Sequence, residues 1–433
     1  MKYLIVTYGC QMNEHDSERI SYLLEAMGYE KTETRDEADF ILYNTCLVRE
    51  NAEMKVYGQI GTYKRWKEEN PDKILAISGC MMQTGPARDI IREKYPQVDI
   101  VFGTQNIPKL PQLIAQHLES GQRIFDVSSF EDDQAAYDRS SGSFAYVNIS
   151  KGCNNFCSYC VVPYARGREQ SRPADQIIDE IQSLAHRGYK EVMLLGQNVN
   201  SYGNDGGSTS FPELLKRVHQ VEGIERIRFM SSHPKDVSDH LIEVIAESPK
   251  IERHFHLALQ SGSDKVLKEM NRKYDRQHFI DLTVKLRQAV PDIALSTDII
   301  VGFPGETDED HLATIDLCRE VRFDSAFTFI YSPRPGTKAA EREDQIKEDV
   351  AGRRFQELVD TLYPIFLESN KKDIGSQSRV LVESLSKNNK KMVTGRNAQN
   401  KLVHFPGDES LIGEMINVKI VGCSSFALEG IRL

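Results

Sequence analysis

The sequence predicts an α/β chain in three parts: a parallel-sheet α/β domain over residues 1–125, an incomplete (β/α)6 barrel over 144–368, and a small β-barrel over 369–433. Three observations carry this. Short apolar runs alternate with amphipathic helical patterns in the first third, as strands of a parallel sheet do. Six further runs alternate with helical patterns in the middle. Five short strand-like runs then crowd into about the last sixty residues, the density of a small closed barrel.

In the first third, the run Tyr3–Tyr8 leads to Cys10, residues 39–45 to Cys46, and residues 73–79 to Cys80. All three runs are short, rich in β-branched residues and bounded by turn residues, so they read as buried strands. Helical patterns over Asp16–Met27 and Glu50–Glu69 separate them. The cysteines stand 36 and 34 residues apart, about one β–α unit each. Parallel strands place their carboxyl ends on one edge, where ligands bind. Three thiols at three strand ends can therefore converge on one site, with three independent buried thiols as the alternative.

Residues 126–143 are polar and rich in Ser and Asp, and read as a linker. After it, strand-like runs near 144–150, 191–196, 226–231, 254–259, 293–301 and 325–330 make six β–α units. The loop after the first carries Cys153, Cys157 and Cys160 in the spacing Cys-x3-Cys-x2-Cys. Soft thiolates on one tight loop suit three corners of an iron–sulfur cube and leave the fourth iron open. A structural zinc site needs a fourth ligand, and the nearest downstream candidate, His186, lies far along the next predicted helix. A disulfide leaves one thiol over. His233, His254 and His256 read as packing or hydrogen-bonding residues, and Cys318 as core on an apolar helix face.

A charged helical stretch, Glu341–Lys372, leads to strand runs over 379–382, 391–394, 401–405, 415–421 and 425–428. Cys423 reads as a buried thiol there. Residues 371–433 carry ten Lys+Arg against six Asp+Glu, whereas the whole chain carries −10. A basic module on an acidic body hints at a phosphate-bearing partner. No apolar run approaches the ~20 residues needed to cross a bilayer. The eight cysteines are too dilute for a disulfide scaffold, so the expectation is a reducing cytoplasm, and nothing in the sequence demands more than a monomer.

The loop Cys153–Cys160 with its tail Val161-Val162-Pro163-Tyr164-Ala165-Arg166-Gly167-Arg168 resembles that of the radical S-adenosylmethionine (SAM) superfamily. Tyr8-Gly9-Cys10-Gln11-Met12-Asn13, Asn44-Thr45-Cys46-Leu47-Val48-Arg49 and Ser78-Gly79-Cys80-Met81 resemble the three cysteine segments of the methylthiotransferase domain. Thr394-Gly395-Arg396-Asn397 with Lys401–Phe405 resembles the TRAM domain, an OB-like RNA-binding module. The Cys10 segment, Ser231-Ser232-His233-Pro234-Lys235-Asp236 and Tyr331-Ser332-Pro333-Arg334-Pro335-Gly336-Thr337 resemble the tRNA-acting branch of the family, the MiaB type.

That resemblance implies conversion of isopentenylated adenosine, 3′ of the anticodon, to its 2-methylthio form. It implies two 4Fe–4S clusters, one on Cys153, Cys157 and Cys160 and an auxiliary one on Cys10, Cys46 and Cys80. SAM would be met by Gly196, Gln197, Asn198, Gln260, Ser261 and Asp298, although Gly196-Gln197-Asn198 lacks the acidic residue of the superfamily's Gly-Gly-Glu motif. Arg166, Arg168 and Arg172 are candidates for the SAM carboxylate or a phosphate backbone, and equally for a solvated basic run. Arg166, Arg168, Arg396 and Lys401 are the RNA-binding candidates. Implied partners are a tRNA anticodon stem-loop, a flavodoxin- or ferredoxin-like electron donor and an iron–sulfur carrier protein. The competing substrates are a ribosomal-protein side chain and threonylcarbamoyl-adenosine in tRNA; a non-catalytic iron–sulfur RNA sensor ranks behind them.

Overall fold

A computed structural model describes residues 1–47, 50–128 and 142–433. Most of the expected linker, residues 129–141, lies outside the described residues, as do Val48 and Arg49 of the second cysteine segment. Asp126, assigned to the linker from sequence, instead ends a strand.

The first sheet has six strands: β1 Lys2–Thr7, β2 Glu30–Lys31, β3 Phe40–Thr45, β4 Ile74–Gly79, β5 Ile100–Phe102 and β6 Ile124–Asp126, in the order β2-β1-β3-β4-β5-β6. Every pairing is parallel. Phe40 and Leu42 join the core on one face, Ile41 and Tyr43 that on the other. Burial on both faces explains why the strand reads as an unbroken apolar run. The first helix begins at Gln11, directly after Cys10, five residues earlier than expected. The expected helix Glu50–Glu69 is two helices, Glu50–Gly61 and Tyr63–Glu69.

The central unit contains β7 Phe144–Asn148, the two-residue strands β8 Ser150–Lys151 and β9 Gln170–Ser171, then β10 Glu191–Leu195, β11 Arg226–Phe229, β12 His254–His256, β13 Ala294–Val301 and β14 Ser325–Ile330. Parallel sheets β7-β10-β11 and β12-β13-β14 are joined by bridges at Ile227–Ile251 and Ser232–Leu257. The result is a six-stranded arc, and no pairing among the described residues closes β14 onto β7. Val192 and Leu194 pack outward under the helices, while Met193 and Leu195 face inward and meet Met12 of the first helix. The amino-terminal domain thus fills the lumen near β7 and β10, and leaves it open near β13 and β14. Cys318 is fully buried in the main core.

The helix Glu348–Lys371 leads to a closed barrel of β15 Gln377–Leu385, β16 Met392–Arg396, β17 Leu402–Pro406, β18 Met415–Cys423 and β19 Leu428–Arg432. The expected strand 425–428 is mostly a turn. The Ser424 hydroxyl accepts from the backbone N–H groups of Phe426 and Ala427, which takes those donors from a ladder. Cys423 is only partly buried, against the barrel core.

This barrel docks on the amino-terminal ends of the central strands. Arg226 donates to the carbonyls of Arg396 and Arg379, Arg228 to that of Asn397 and the side chain of Asn400, and the Arg253 N–H to the Ala398 carbonyl. Arg228 is 1% exposed and pairs with Glu191 and Glu252. No helix among the described residues is long and apolar enough to cross a membrane.

Candidate functional site

Strands β1, β3 and β4 are neighbours, so Cys10, Cys46 and Cys80 leave three adjacent strand ends on one edge. Gly9 makes the approach close: its φ is +137°, and a Cβ there would lie 2.9 Å from Cys46 Cβ. Asn13, one turn into the first helix, sits at the centre. Its Oδ1 lies 3.8 Å from Cys10 Sγ and 4.0 Å from Cys80 Sγ, while its Nδ2 donates to the carbonyls of Tyr8 and Thr45. Cys46 and Cys80 are buried, and Cys10 is exposed.

The second triad sits on the loop after β7, stapled at its base by the β8–β9 pair. Gly152 has φ +70°, and a Cβ would lie 2.1 Å from the Arg168 carbonyl oxygen, so only glycine lets the loop close. Cys153 N–H donates to the Gly167 carbonyl at 3.2 Å. Asn271 and Ser158 tie the loop to the segment after the helix Asp264–Glu269, through Asn271 Nδ2 to Phe156 O and Ser158 N–H to Met270 O. Arg272, buried, donates to Cys157 Sγ at 3.3 Å. Burial pushes the Cys153 thiol up to about 11 and those of Cys160 and Cys80 up to about 12. Unligated, these thiols hold their protons, and binding a metal displaces them.

The two triads meet through one segment. Cys160 and Val161 line a cavity of about 630 Å³ with Gln260, Asp298, Ile300, Phe329 and Arg334. Val161 also packs with Ala165 against Leu47 and Cys80. The volume lies inside the roughly 300–1,000 Å³ usual for small-molecule sites. A more open groove of about 800 Å³ lies near Arg319, Arg322 and Arg353, whose guanidiniums pair with Asp316, Glu368 and Asp308; no cysteine lines it.

The sequence candidates separate here. Gln260, at φ +72°, and Asp298 line the cavity, and His256 Nε2 lies 3.3 Å from Asp298. Ser261 turns away to Thr314. Asn198 is buried between Asp236 and the His233 N–H, Gly196 abuts Ser150, and Gln197 is half-buried. His233 is neutral: burial, with Arg272 nearby, drives it down to about 2. Arg166 is a correction. It is 8% exposed, and Asp16 holds it at 2.8 Å, so it offers no phosphate contact at the surface. Arg172 is likewise buried, on Glu180. Lys401 is spent on Asp373 at 2.8 Å and Ser369. Arg396 reaches the Asn400 carbonyl and Glu383. Arg168 is exposed beside the Phe156 ring. Sequence reasoning missed Arg272, Asn13 and the lumen-facing Phe327 and Phe329.

Soft thiols in two sets of three, with all eight cysteines free of disulfides, fit iron–sulfur cubes. No three His, Cys, Asp or Glu residues among the described ones close on a single ion. A cube asks for wider spacing, since each thiolate takes its own iron.

Fold and site define a radical SAM enzyme extended by an amino-terminal three-cysteine domain and a carboxyl-terminal barrel. Family models agree: Radical SAM superfamily over residues 147–318, Uncharacterized protein family UPF0004 over 2–103, and TRAM domain over 371–433. Proteins named tRNA-2-methylthio-N(6)-dimethylallyladenosine synthase are similar over nearly the whole chain. That of Finegoldia magna is 54% identical over 431 residues, covering 99% of this chain and 94% of its own. That of Acetivibrio thermocellus is 49% identical, covering 99% and 90%. The chain belongs to this synthase family. Among solved structures, the radical SAM methyltransferase TsrM from Kitasatospora setae shares the fold at TM-score 0.59 and 14% identity, over 78% of this chain and 75% of that one. The superfamily brings a 4Fe–4S cluster and SAM with it.

Proposed function

We propose that this chain converts isopentenylated adenosine, 3′ of the anticodon in tRNA, to its 2-methylthio derivative, and that each thiol triad holds one cluster. The observation that carries this is the pair of triads meeting through Val161 beside one cavity. Cys153, Cys157 and Cys160 would hold the radical-generating 4Fe–4S cluster, and Cys10, Cys46 and Cys80 the auxiliary one. When bound, the two groups supply the electron that cleaves SAM and the sulfur that becomes the methylthio group.

The chain's own residues position and enclose. Arg272 braces Cys157, and the Gly152 turn fixes the direction of the loop. Gln260 and Asp298 present polar groups to the SAM side of the cavity. Gly196, Gln197, Asn198 and Ser261 lie outside its lining and act at most by shaping the loops behind it. Phe327 and Phe329, 48% and 38% exposed on the inner side of β14, offer ring faces to a nucleotide flipped out of the anticodon loop. Ile300 and Ile330 add an apolar wall for its isopentenyl chain. The tRNA would be gripped by exposed basic residues, Lys387, Lys390 and Lys391 among them. A flavodoxin- or ferredoxin-like donor and an iron–sulfur carrier complete the system, in the cytoplasm, with the chain acting as a monomer.

The test is nucleoside mass spectrometry on an isopentenylated anticodon stem-loop, incubated with the anaerobically reconstituted protein, SAM, a reductant and sulfide. Appearance of 2-methylthio-isopentenyladenosine is expected. Formation of 5′-deoxyadenosine without that product would refute the substrate and leave the radical chemistry standing.

A further inference from the structure

Arg166 reaches the amino-terminal triad from the central part of the chain. It ends the short helix Val162–Arg166, six residues beyond Cys160, and crosses to the other domain. Its Nε donates to Cys80 Sγ at 3.0 Å, and its Nη2 donates to Asn13 Oδ1 at 3.1 Å and Asp16 Oδ2 at 2.8 Å. A guanidinium with 8% exposure is costly to bury unless it is paired. Here every contact is a charge-assisted or ligand-sulfur contact, so the fold has aimed a fixed positive charge at one sulfur of the triad.

We propose that Arg166 is a positioning residue of the auxiliary site: through Cys80 it makes the reduction potential of the cluster held there more positive, and it registers that cluster against the Cys153–Cys160 loop. The inference rests on the reading that Cys10, Cys46 and Cys80 hold a cluster. The physical reason is direct. Reduction adds an electron to the cluster, and a cation hydrogen-bonded to a ligand sulfur stabilises the more negative, reduced form. Asn13 and Asp16 hold the guanidinium by its far nitrogen, so the Nε–H stays directed at sulfur. Arg166 touches no substrate; it acts through Cys80.

The experiment uses the full chain with Cys153, Cys157 and Cys160 changed to Ala, so that only the auxiliary cluster remains. Iron content and the cluster's midpoint potential are measured with Arg166 intact and in the variants Arg166→Gln and Arg166→Lys. Arg166→Gln keeps a donor without charge and Arg166→Lys keeps charge without the fork. We expect Arg166→Gln to bind iron and to shift to a more negative potential, with the ratio of reduced to oxidised clusters at a fixed applied potential lowered on the order of tenfold, or about 59 mV for one electron. Arg166→Lys should recover part of that shift. A merely structural role would change iron content and leave the potential of the remaining clusters alone. An unchanged potential in Arg166→Gln overturns the proposal. Should Arg166→Gln fail to hold iron, Arg166→Lys decides alone, and a parental potential there overturns the geometric role. Absence of iron with Arg166 intact overturns the auxiliary-cluster reading itself, which separates the two failures.

Discussion

Replacing Arg228 by Ala should unfold the central unit well below the parent temperature. Arg228 is 1% exposed and is the shared cation of Glu191 and Glu252, which are 1% and 2% exposed. Removing one partner of a buried ion pair costs about 3–5 kcal/mol, because the charge left behind has no water. Two features pull the value to the low end. Arg226 still reaches Glu191 at 3.1 Å, and His254 Nδ1 lies 3.5 Å from Glu252. About 3 kcal/mol in a domain of this size corresponds to a fall of about 6–12 °C in Tm. The assay is calorimetry of the full chain at neutral pH. The carboxyl-terminal barrel should also become cleavable from the rest by a protease, since Arg228 holds Asn397 and Asn400. The double variant Arg228→Met with Glu252→Gln removes both charges and should recover most of the loss. If Arg228→Ala melts within about 2 °C of the parent, or the double variant melts as low as the single, the buried charge is not what the junction depends on.

Three further outcomes follow from the site. Changing Cys10, Cys46 and Cys80 to Ala should halve the bound iron and abolish methylthio transfer, yet leave 5′-deoxyadenosine formation; loss of both activities would mean that the triads are not independent. Phe329→Ala should weaken binding of the isopentenylated stem-loop by about 1–3 kcal/mol, the worth of one base stacked on a ring, with SAM cleavage unaffected; an unchanged Kd would remove the ring from the substrate path. Replacing Lys387, Lys390 and Lys391 by Ala should flatten the dependence of log K on log salt by about 0.9 for each lost duplex phosphate contact. An unchanged slope would place the RNA elsewhere.

The cysteines were legible because their signal is local. Cys153, Cys157 and Cys160 share one short loop, whereas Cys10, Cys46 and Cys80 each follow a strand run, and neighbouring parallel strands bring such ends together whatever the loops between them do. What failed was long-range pairing of charge. Arg166 and Asp16 are 150 residues apart, and a basic residue near a loop looks the same in sequence whether its partner is water or a buried carboxylate. The one available sign was its setting: Val161, Pro163 and Ala165, which precede it, are all buried. Lys401 failed for the same reason, its partner Asp373 standing 28 residues back. Ser424 defeated the last strand assignment because a hydroxyl competing for backbone donors leaves no mark in an apolar pattern.

The placement of the two ends of the molecule constrains its substrate. The triads and the cavity lie at the carboxyl-terminal edge of the central strands, and the carboxyl-terminal barrel is docked at the opposite edge. The strand β13, Ala294–Val301, runs between these edges, and eight residues of strand rise about 26 Å. No residue of the carboxyl-terminal barrel is among those lining the cavity. A free nucleoside could not occupy both places; a folded RNA arm can. No strand pairing among the described residues joins β14 to β7, and the rings of Phe327 and Phe329 are exposed on the inner side of β14, where the proposed substrate base would enter. On the proposed tRNA reading, the barrel would raise the local concentration of the arm rather than take part in the chemistry. On that reasoning, deleting residues 377–433 should raise KM for the stem-loop far more than it lowers kcat. A proportionate loss in both would mean that the module shapes the cavity after all.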